Sequence, residues 1–383
     1  MNILYLDQFS EMGGAQCCWL DLLPAMQERG WQILAALPGN GSLVERLRAR
    51  GFRVHRIPCG PYHSGGKNGA DFLRFVWDVK CQVRIIADLL ARSKFDLIYV
   101  NGPRLLPAAA LAAGGRVPIL FHAHNYIAQR YAARVAGWSI RRSHATVVAY
   151  SQLAAGPLRP YTPRERLHVI PNGISDIGFH QKRFDPTGIW RIGMVGRIAP
   201  EKGTIEFVRA AAVLSSLVPN ARFVICGAPL LSSQRYYDEV RSLAHGLPIE
   251  FLGWKEDVAR ILNNLDLLVI PSKLEGPPRV LLEAFSAGVP VVAFPAGGIV
   301  EAVEDEETGF LVPEASSGAL ASRLHELIAG DPQRLRHVAA NSRLCWQRSY
   351  TIASFQERIV QLILNLVSTS QTELETAALP AHK

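Results

Sequence analysis

Short apolar runs of strand length alternate with helical patterns along the whole chain, and the alternation starts afresh near its middle. Ile3–Leu6, Trp31–Leu37, Leu97–Val100, Ile119–His122, Thr146–Tyr150 and His168–Ile170 form the first set. A polar stretch bearing Gly and Pro, Asn172 to Gly188, separates it from the second: Trp190–Val195, Arg222–Cys226, Ile249–Leu252, Leu267–Ile270, Val289–Phe294 and Phe310–Val312. Strands separated by helices pair in parallel and are covered on both faces, so each set predicts one doubly wound α/β domain. A chain of 383 residues also exceeds what one core usually supports, and two domains of about 170 residues are the natural division. The predicted fold is therefore α/β, with Rossmann-like domains over 1–175 and 189–348, a helix over 349–367 and a flexible tail over 368–383.

Composition narrows the class further. With 49% hydrophobic and 19% charged residues, and no run near the roughly 20 apolar residues of a bilayer crossing, the chain reads as a compact cytoplasmic protein. The start, Met1-Asn2-Ile3-Leu4-Tyr5-Leu6-Asp7, reads as a buried strand and not as an export signal. Six scattered cysteines form no C-x-x-C pair, which argues against a zinc site or a disulfide framework. The net charge of +8 favours anionic partners. Nucleic acid is not expected among them, since no groove-reading basic helix, aromatic platform or zinc finger is present. The stretch between Pro61 and Ala70 reads as a mobile loop. In the helix that follows, from Asp71 to about Arg92, Phe72, Phe75, Val76, Val79, Val83, Ile86, Leu89 and Leu90 predict a core-packing face, with contact to a membrane surface as the alternative.

Four segments carry chemistry. In Pro271-Ser272-Lys273-Leu274-Glu275-Gly276-Pro277-Pro278-Arg279-Val280-Leu281-Leu282-Glu283-Ala284, the prolines set the opening of a helix. Glu275 is expected ahead of that helix and Glu283 about two turns inside it, at most roughly 12 Å apart along the axis. Amides of Arg279, Val280 and Leu281 at the helix start suit an anion. In Gly193-Met194-Val195-Gly196-Arg197-Ile198-Ala199-Pro200-Glu201-Lys202-Gly203-Thr204, glycines allow close backbone approach while Arg197 and Lys202 supply two positive charges. Gly13 and Gly14 form a Gly-Gly turn at a helix start after the first strand, and His122 and His124 stand at the end of an apolar strand, where open α/β sheets place ligands. Imidazoles two apart share a face, so joint metal ligation by the pair is a competing reading. No G-x-G-x-x-G follows either domain's first strand, against a nicotinamide or flavin enzyme.

These segments resemble glycosyltransferase family 4, whose hallmark is two glutamates in the setting Pro-Ser…Glu-Gly…Glu-Ala…Gly-x-Pro-Val-Val, here with Glu275 and Glu283. The resemblance covers nearly the whole chain and is strongest from Ile192 to Pro313. It implies a GT-B fold with two domains facing across a cleft, and a retaining hexosyltransferase that uses a nucleoside-diphosphate sugar of UDP or GDP type. It further implies that Glu275 holds hydroxyls of the donor sugar and Glu283 the ribose. Arg197, Lys202 and Gly196 would hold the pyrophosphate, with the Gly13-Gly14 loop over the phosphates. His124 would contact the donor sugar, His122 being the lesser candidate. Phe251-Leu252-Gly253-Trp254 resembles the loop lining the nucleobase pocket, with Leu252 and Trp254 in apolar contact. No cofactor and no metal are implied. The expected acceptor is a lipid-linked intermediate or a surface oligosaccharide, with peripheral contact to an anionic membrane. Competing readings are a nucleotide-sugar epimerase or phosphorylase on the same fold, a donor-binding subunit without turnover, and a membrane-recruitment scaffold.

Overall fold

The computed structural model describes residues 1–60, 69–179, 184–185, 187–229 and 234–378. The Gly-rich loop expected between Pro61 and Ala70 falls, over 61–68, outside the described residues. The chain forms two compact units, residues 1–172 with 353–383 and residues 173–352.

In the first unit, β1 (Asn2–Asp7), α1 (Gly14–Gln27), β2 (Gln32–Leu37), α2 (Ser42–Ala49), β3 (Arg53–Arg56), α3 (Gly69–Arg92), β4 (Leu97–Asn101), α4 (Leu106–Ala113), β5 (Ile119–Ala123), α5 (Arg130–Ser143), β6 (Thr146–Ala149), α6 (Gln152–Ala155) and β7 (Leu167–Val169) follow one another. The strands make one parallel sheet in the order β3-β2-β1-β4-β5-β6-β7. Strand order reverses between β1 and β4, which creates a crevice at the carboxyl edge of the sheet. Register places Asp7 opposite Asn101 and Asn101 opposite His122, so three polar side chains form a row across the central strands at that edge. Leu4, Leu6, Ile98, Val100, Ile119 and Phe121 pack on the other face of the same strands in one buried cluster with α4. Small Ala108, Ala109, Ala112 and Ala113 let α4 lie close to the sheet.

The helix α3 departs from the expected core-packing face. Its second half packs through Val79, Val83 and Ile86, but its first turns are inverted: Asp71, Asp78 and Gln82 are buried while Phe72, Leu73, Val76 and Trp77 face solvent. Local hydrogen bonding explains the inversion. Asp78 accepts from the Gly60 amide at 2.9 Å and Gln82 donates to the Pro58 carbonyl at 2.6 Å, so the polar side chains satisfy backbone groups that would otherwise be lost to burial.

The second unit contains β8 (Trp190–Val195), α7 (Thr204–Leu217), β9 (Ala221–Cys226), α8 (Gln234–Leu243), β10 (Ile249–Gly253), α9 (Val258–Asn263), β11 (Leu267–Ile270), α10 (Arg279–Ala287), β12 (Val291–Ala293), β13 (Phe310–Leu311), α11 (Ser317–Ala329) and α12 (Pro332–Ser349). Its parallel sheet runs β10-β9-β8-β11-β12-β13, with the reversal between β8 and β11. Residues 174–179 are bound to this unit. Arg343 grips Asp176 with two bonds of 2.7 and 2.6 Å and stacks over Trp346, whose indole donates to the Ile174 carbonyl.

The last helix, α13 (Ile352–Ala378), continues well past Val367, where a flexible tail was expected. No glycine or proline intervenes before Pro380, and the hydroxyls of Ser368 and Thr369 donate back to the Asn365 carbonyl, so the polar sequence is satisfied within the helix. Among the described residues, no helix is long and apolar enough to cross a membrane.

Candidate functional site

The two motifs of the second unit meet at its switch point. Gly203 has φ +72°, and a Cβ there would lie 1.9 Å from the Pro271 carbonyl oxygen, so the turn after β8 presses backbone to backbone on the loop after β11. Only glycine combines that φ with that approach. The consequence is local: Lys202, beside Gly203, forms an ion pair with Glu275, four residues beyond Pro271. The Ser272 hydroxyl donates to the other carboxylate oxygen of Glu275 at 2.7 Å. Gly298 closes the far side, its amide donating to the Glu275 carbonyl at 2.7 Å and its Cα position too near Gly276 for a side chain. Glu275 is thereby held by its backbone and by both carboxylate oxygens.

Each cation predicted for the site stands beside a carboxylate. Arg197 pairs with Glu201 at 2.5 Å, and Arg279 approaches Glu283 at 3.7 Å. Lys273, next to Ser272, pairs with Glu206 at 2.7 Å. The site is charge-balanced as it stands, so an entering anion must draw a cation from its present carboxylate. The Lys202–Glu275 and Arg279–Glu283 side chains are largely buried, so a carboxylate that gives up its cation must gain another partner in exchange.

Three expectations need correction. The helix α10 starts at Arg279, which puts Glu283 just over one turn inside it and not two, because Pro278 is still extended with ψ 152°. The Leu281 amide is not free at the helix start: it donates to the Pro278 carbonyl at 3.0 Å, and the Leu281 side chain is fully buried. Amides offered to an anion there are accordingly narrowed to Arg279 and Val280. Packing was an equal reading for Trp254, but its side chain is half exposed. It follows the edge strand β10, about 14 Å from β11 at three strand spacings. Leu252 is half-buried at the end of the same strand. Gly196 follows β8 directly with φ +149°, and its carbonyl lies against Gly227, where a Cβ would come within 1.8 Å.

In the first unit, Gly13 is the N-cap of α1 and Gly14 its first residue. His122 is fully buried and His124 nearly so, with ring centroids 3.7 Å apart. Burial, then the neighbouring His124, pushes the His122 imidazole well below its usual range, so it is neutral. Tyr99 shares a 2.5 Å hydrogen bond with its Nδ1. Behind this pair, Asp7 accepts from the Tyr5 hydroxyl at 2.5 Å, the Asn101 amide at 2.5 Å, the Phe9 backbone at 2.9 Å and Gln16. Burial raises the Asp7 carboxyl to about 6 despite those donors. Among the described residues, no three of His, Cys, Asp or Glu gather in a way that could hold a metal ion. Sequence reasoning missed Ser272 as a partner of Glu275, and also Asp7, Tyr99 and Asn101. Ser272 sits inside a quoted motif and could have been found; the row Asp7–Asn101–His122 depends on strand register and could not.

A pair of doubly wound sheets, one with a Lys-Glu-Ser cluster at its switch point and the other with two stacked imidazoles at its carboxyl edge, defines a two-domain α/β transferase of GT-B type. Residues 179–343 match the family "Glycosyl transferases group 1" and residues 13–173 the family "Glycosyl transferase 4-like domain", together well over half of the chain. This chain belongs to the group 1, family 4 type of glycosyltransferases. It is 27% identical, over 97% of each chain, to a phosphatidyl-myo-inositol mannosyltransferase of Mycobacterium leprae. It is also 27% identical, over 54% of this chain, to an Escherichia coli UDP-Gal:alpha-D-GlcNAc-diphosphoundecaprenol alpha-1,3-galactosyltransferase. That match spans only 56% of the relative. Among solved structures, Anabaena Alr3699/HepE in complex with UDP-glucose shares 25% identity and a TM-score of 0.79, over 95% of this chain and all of that one.

Proposed function

We propose that this protein transfers a hexose, with retention of anomeric configuration, from a nucleoside-diphosphate sugar of UDP or GDP type to a lipid-linked or oligosaccharide acceptor in cell-surface glycan synthesis. The observation that carries the reading is the Lys202–Glu275–Ser272 cluster, built by the contact of Gly203 with Pro271. In this reading the diphosphate draws Lys202 and Arg197 from their carboxylates, and Glu275, released from Lys202, receives sugar hydroxyls. Glu283 takes the ribose, Trp254 and Leu252 flank the base, and the amides of Arg279 and Val280 add to the anion site.

Cleavage leaves charge on the nucleoside diphosphate, where Lys202 and Arg197 stabilise it; a phosphate oxygen on the same face accepts the proton of the incoming acceptor hydroxyl. The two cations supply the charge that a metal would otherwise provide, so no metal and no cofactor enter the scheme. The UDP-glucose complex of the Anabaena structure and the donor named for the Escherichia coli relative support a uridine donor class. The names of the two relatives support a lipid-borne acceptor.

The test is transfer of radiolabelled hexose from UDP- or GDP-sugars into lipid extract, with the anomeric configuration of the product read by NMR. Acceptor-dependent glycoside with retained configuration is expected. Replacement of Lys202 by Ala should cut turnover by about two to three decades, the scale of losing one preorganised donor. Epimerised nucleotide sugar formed without acceptor, or turnover within twofold of the parent after that replacement, contradicts the reading.

A further inference from the structure

The end of the first sheet opposite Asp7 and His122 carries a cavity of its own. Strands β1 to β4 begin there, and the turns that lead into β2, β3 and β4 enclose a cleft of about 750 Å³. Asn2 lines it at the start of β1 and Asp7 closes the same strand, so roughly 17 Å of extended chain separates the cleft from the carboxyl edge. Arg50 and Arg53 border the turn between α2 and β3, and Lys94 lies in the turn between α3 and β4. No Asp or Glu lines the cleft. The nearby Asp96 is already engaged, accepting from the Asn2 backbone amide at 2.7 Å.

Cations at helix ends often serve only the negative end of the helix dipole. Here the backbone meets that need. The amides of Gly30 and Trp31 return to the carbonyls of Gln27 and Met26 at the end of α1, and those of Gly51 and Phe52 to the carbonyls of Arg48 and Leu47 at the end of α2. Positive φ at Gly30 (+69°) and Gly51 (+80°) permits these returns. Among the described residues, the side chains of Arg50, Arg53 and Lys94 take part in no hydrogen bond or ion pair. Three like charges around one cleft repel one another, and a dianion between them relieves the repulsion. Trp31, Phe52 and Phe95 give the cleft aromatic surface, while Gln27, Gln32 and Ser93 bring side chains that both donate and accept.

The geometry points to this cleft as a binding site for a sugar phosphate, with Arg50, Arg53 and Lys94 on the phosphate, and with Gln27, Gln32 and Ser93 on the sugar hydroxyls. Inorganic phosphate alone would leave the aromatic rings and amides unused, and a neutral sugar would leave the cations unused; the volume is that of a small-molecule site. At its distance from the carboxyl edge the ligand is held and not transformed. It therefore acts as an effector of the first unit, tying three turns together. The inference does not rest on the function proposed above.

The experiment is isothermal titration of the full chain with mannose 6-phosphate, mannose and inorganic phosphate at equal ionic strength. Mannose 6-phosphate should bind about fivefold tighter than phosphate, the scale of one added hydrogen bond, and mannose should not bind. The triple replacement Arg50→Gln, Arg53→Gln, Lys94→Gln should weaken mannose 6-phosphate by about thirtyfold, the scale of losing three solvent-screened charge contacts. A single Arg53→Glu, which sets a carboxylate in the cleft, should weaken it by about tenfold. Because all three side chains are exposed, both variants should keep the parent's thermal unfolding and any stabilisation by UDP. Phosphate bound as tightly as mannose 6-phosphate overturns the proposal, as does binding undiminished in both variants; its loss in Lys202→Ala would then place the ligand in the second unit. Mannose 6-phosphate bound as described by a protein that neither binds UDP nor transfers sugar leaves this site standing and removes the enzymatic reading alone.

Discussion

Lys202 and Ser272 each take one oxygen of Glu275. On the proposed function, only the Lys202 contact is given up to an entering diphosphate, and the Ser272 bond persists and aims the free oxygen at the sugar. Ser272→Ala should therefore weaken a nucleoside-diphosphate sugar by about tenfold, the loss of one hydrogen bond to a charged group, while leaving the nucleoside diphosphate within twofold. Isothermal titration of both ligands measures the split, and an equal loss for the two would assign Ser272 to folding alone. In the first unit, Asp7 makes its own pH signature. Its carboxyl holds a proton to about 6 in the folded chain against 3.8 unfolded, so the folded state binds more protons between those values. Stability must then fall as pH rises through that window and level off above it, by about 3 kcal/mol at most. Urea unfolding across the window should show this decline, and Asp7→Asn should remove it; an unchanged slope in the variant would contradict the assignment.

At the scale of elements, the contact between turns is what glycine makes possible. Gly203→Ala should destabilise the second unit by about 3 kcal/mol, since the new methyl meets the Pro271 carbonyl as well as an unfavourable φ. Gly246 shares the positive φ but has open space around it, and Gly246→Ala should cost only about 1 kcal/mol. Denaturant unfolding of the two variants compares strain alone with strain plus collision; equal losses would deny the contact. The strands were largely legible because parallel strands buried on both faces read as unbroken apolar runs, as in Leu267–Ile270. The strand β3 was not, because it is an edge strand whose Arg53, His55 and Arg56 are exposed. The first turns of α3 misled for the opposite reason: periodicity locates an apolar face but cannot say whether protein or something else covers it.

For the whole molecule, repetition of the βαβ pattern on either side of Asn172–Gly188 was enough to read two Rossmann-like units. The division observed after Asn172, and the attachment of 353 onward to the first unit, depend on contacts between residues far apart in sequence. Trp346 and Arg343 reaching back to Ile174 and Asp176 are such contacts, and neither end signals the other in a single sequence. The candidate site was legible where backbone motif and chemistry coincide, at Glu275, Lys202 and the glycines. It was not legible where burial sets the chemistry, as at His122 and Asp7. The central claim is that the Lys202–Glu275 pair exchanges partners when an activated sugar binds. A crystal structure of the second unit's site with UDP-glucose bound to the full chain tests it directly: Lys202 should be on the diphosphate and Glu275 on sugar hydroxyls, with Ser272 still donating to Glu275. A bound nucleotide sugar elsewhere, with Lys202 and Glu275 still paired, would contradict the account.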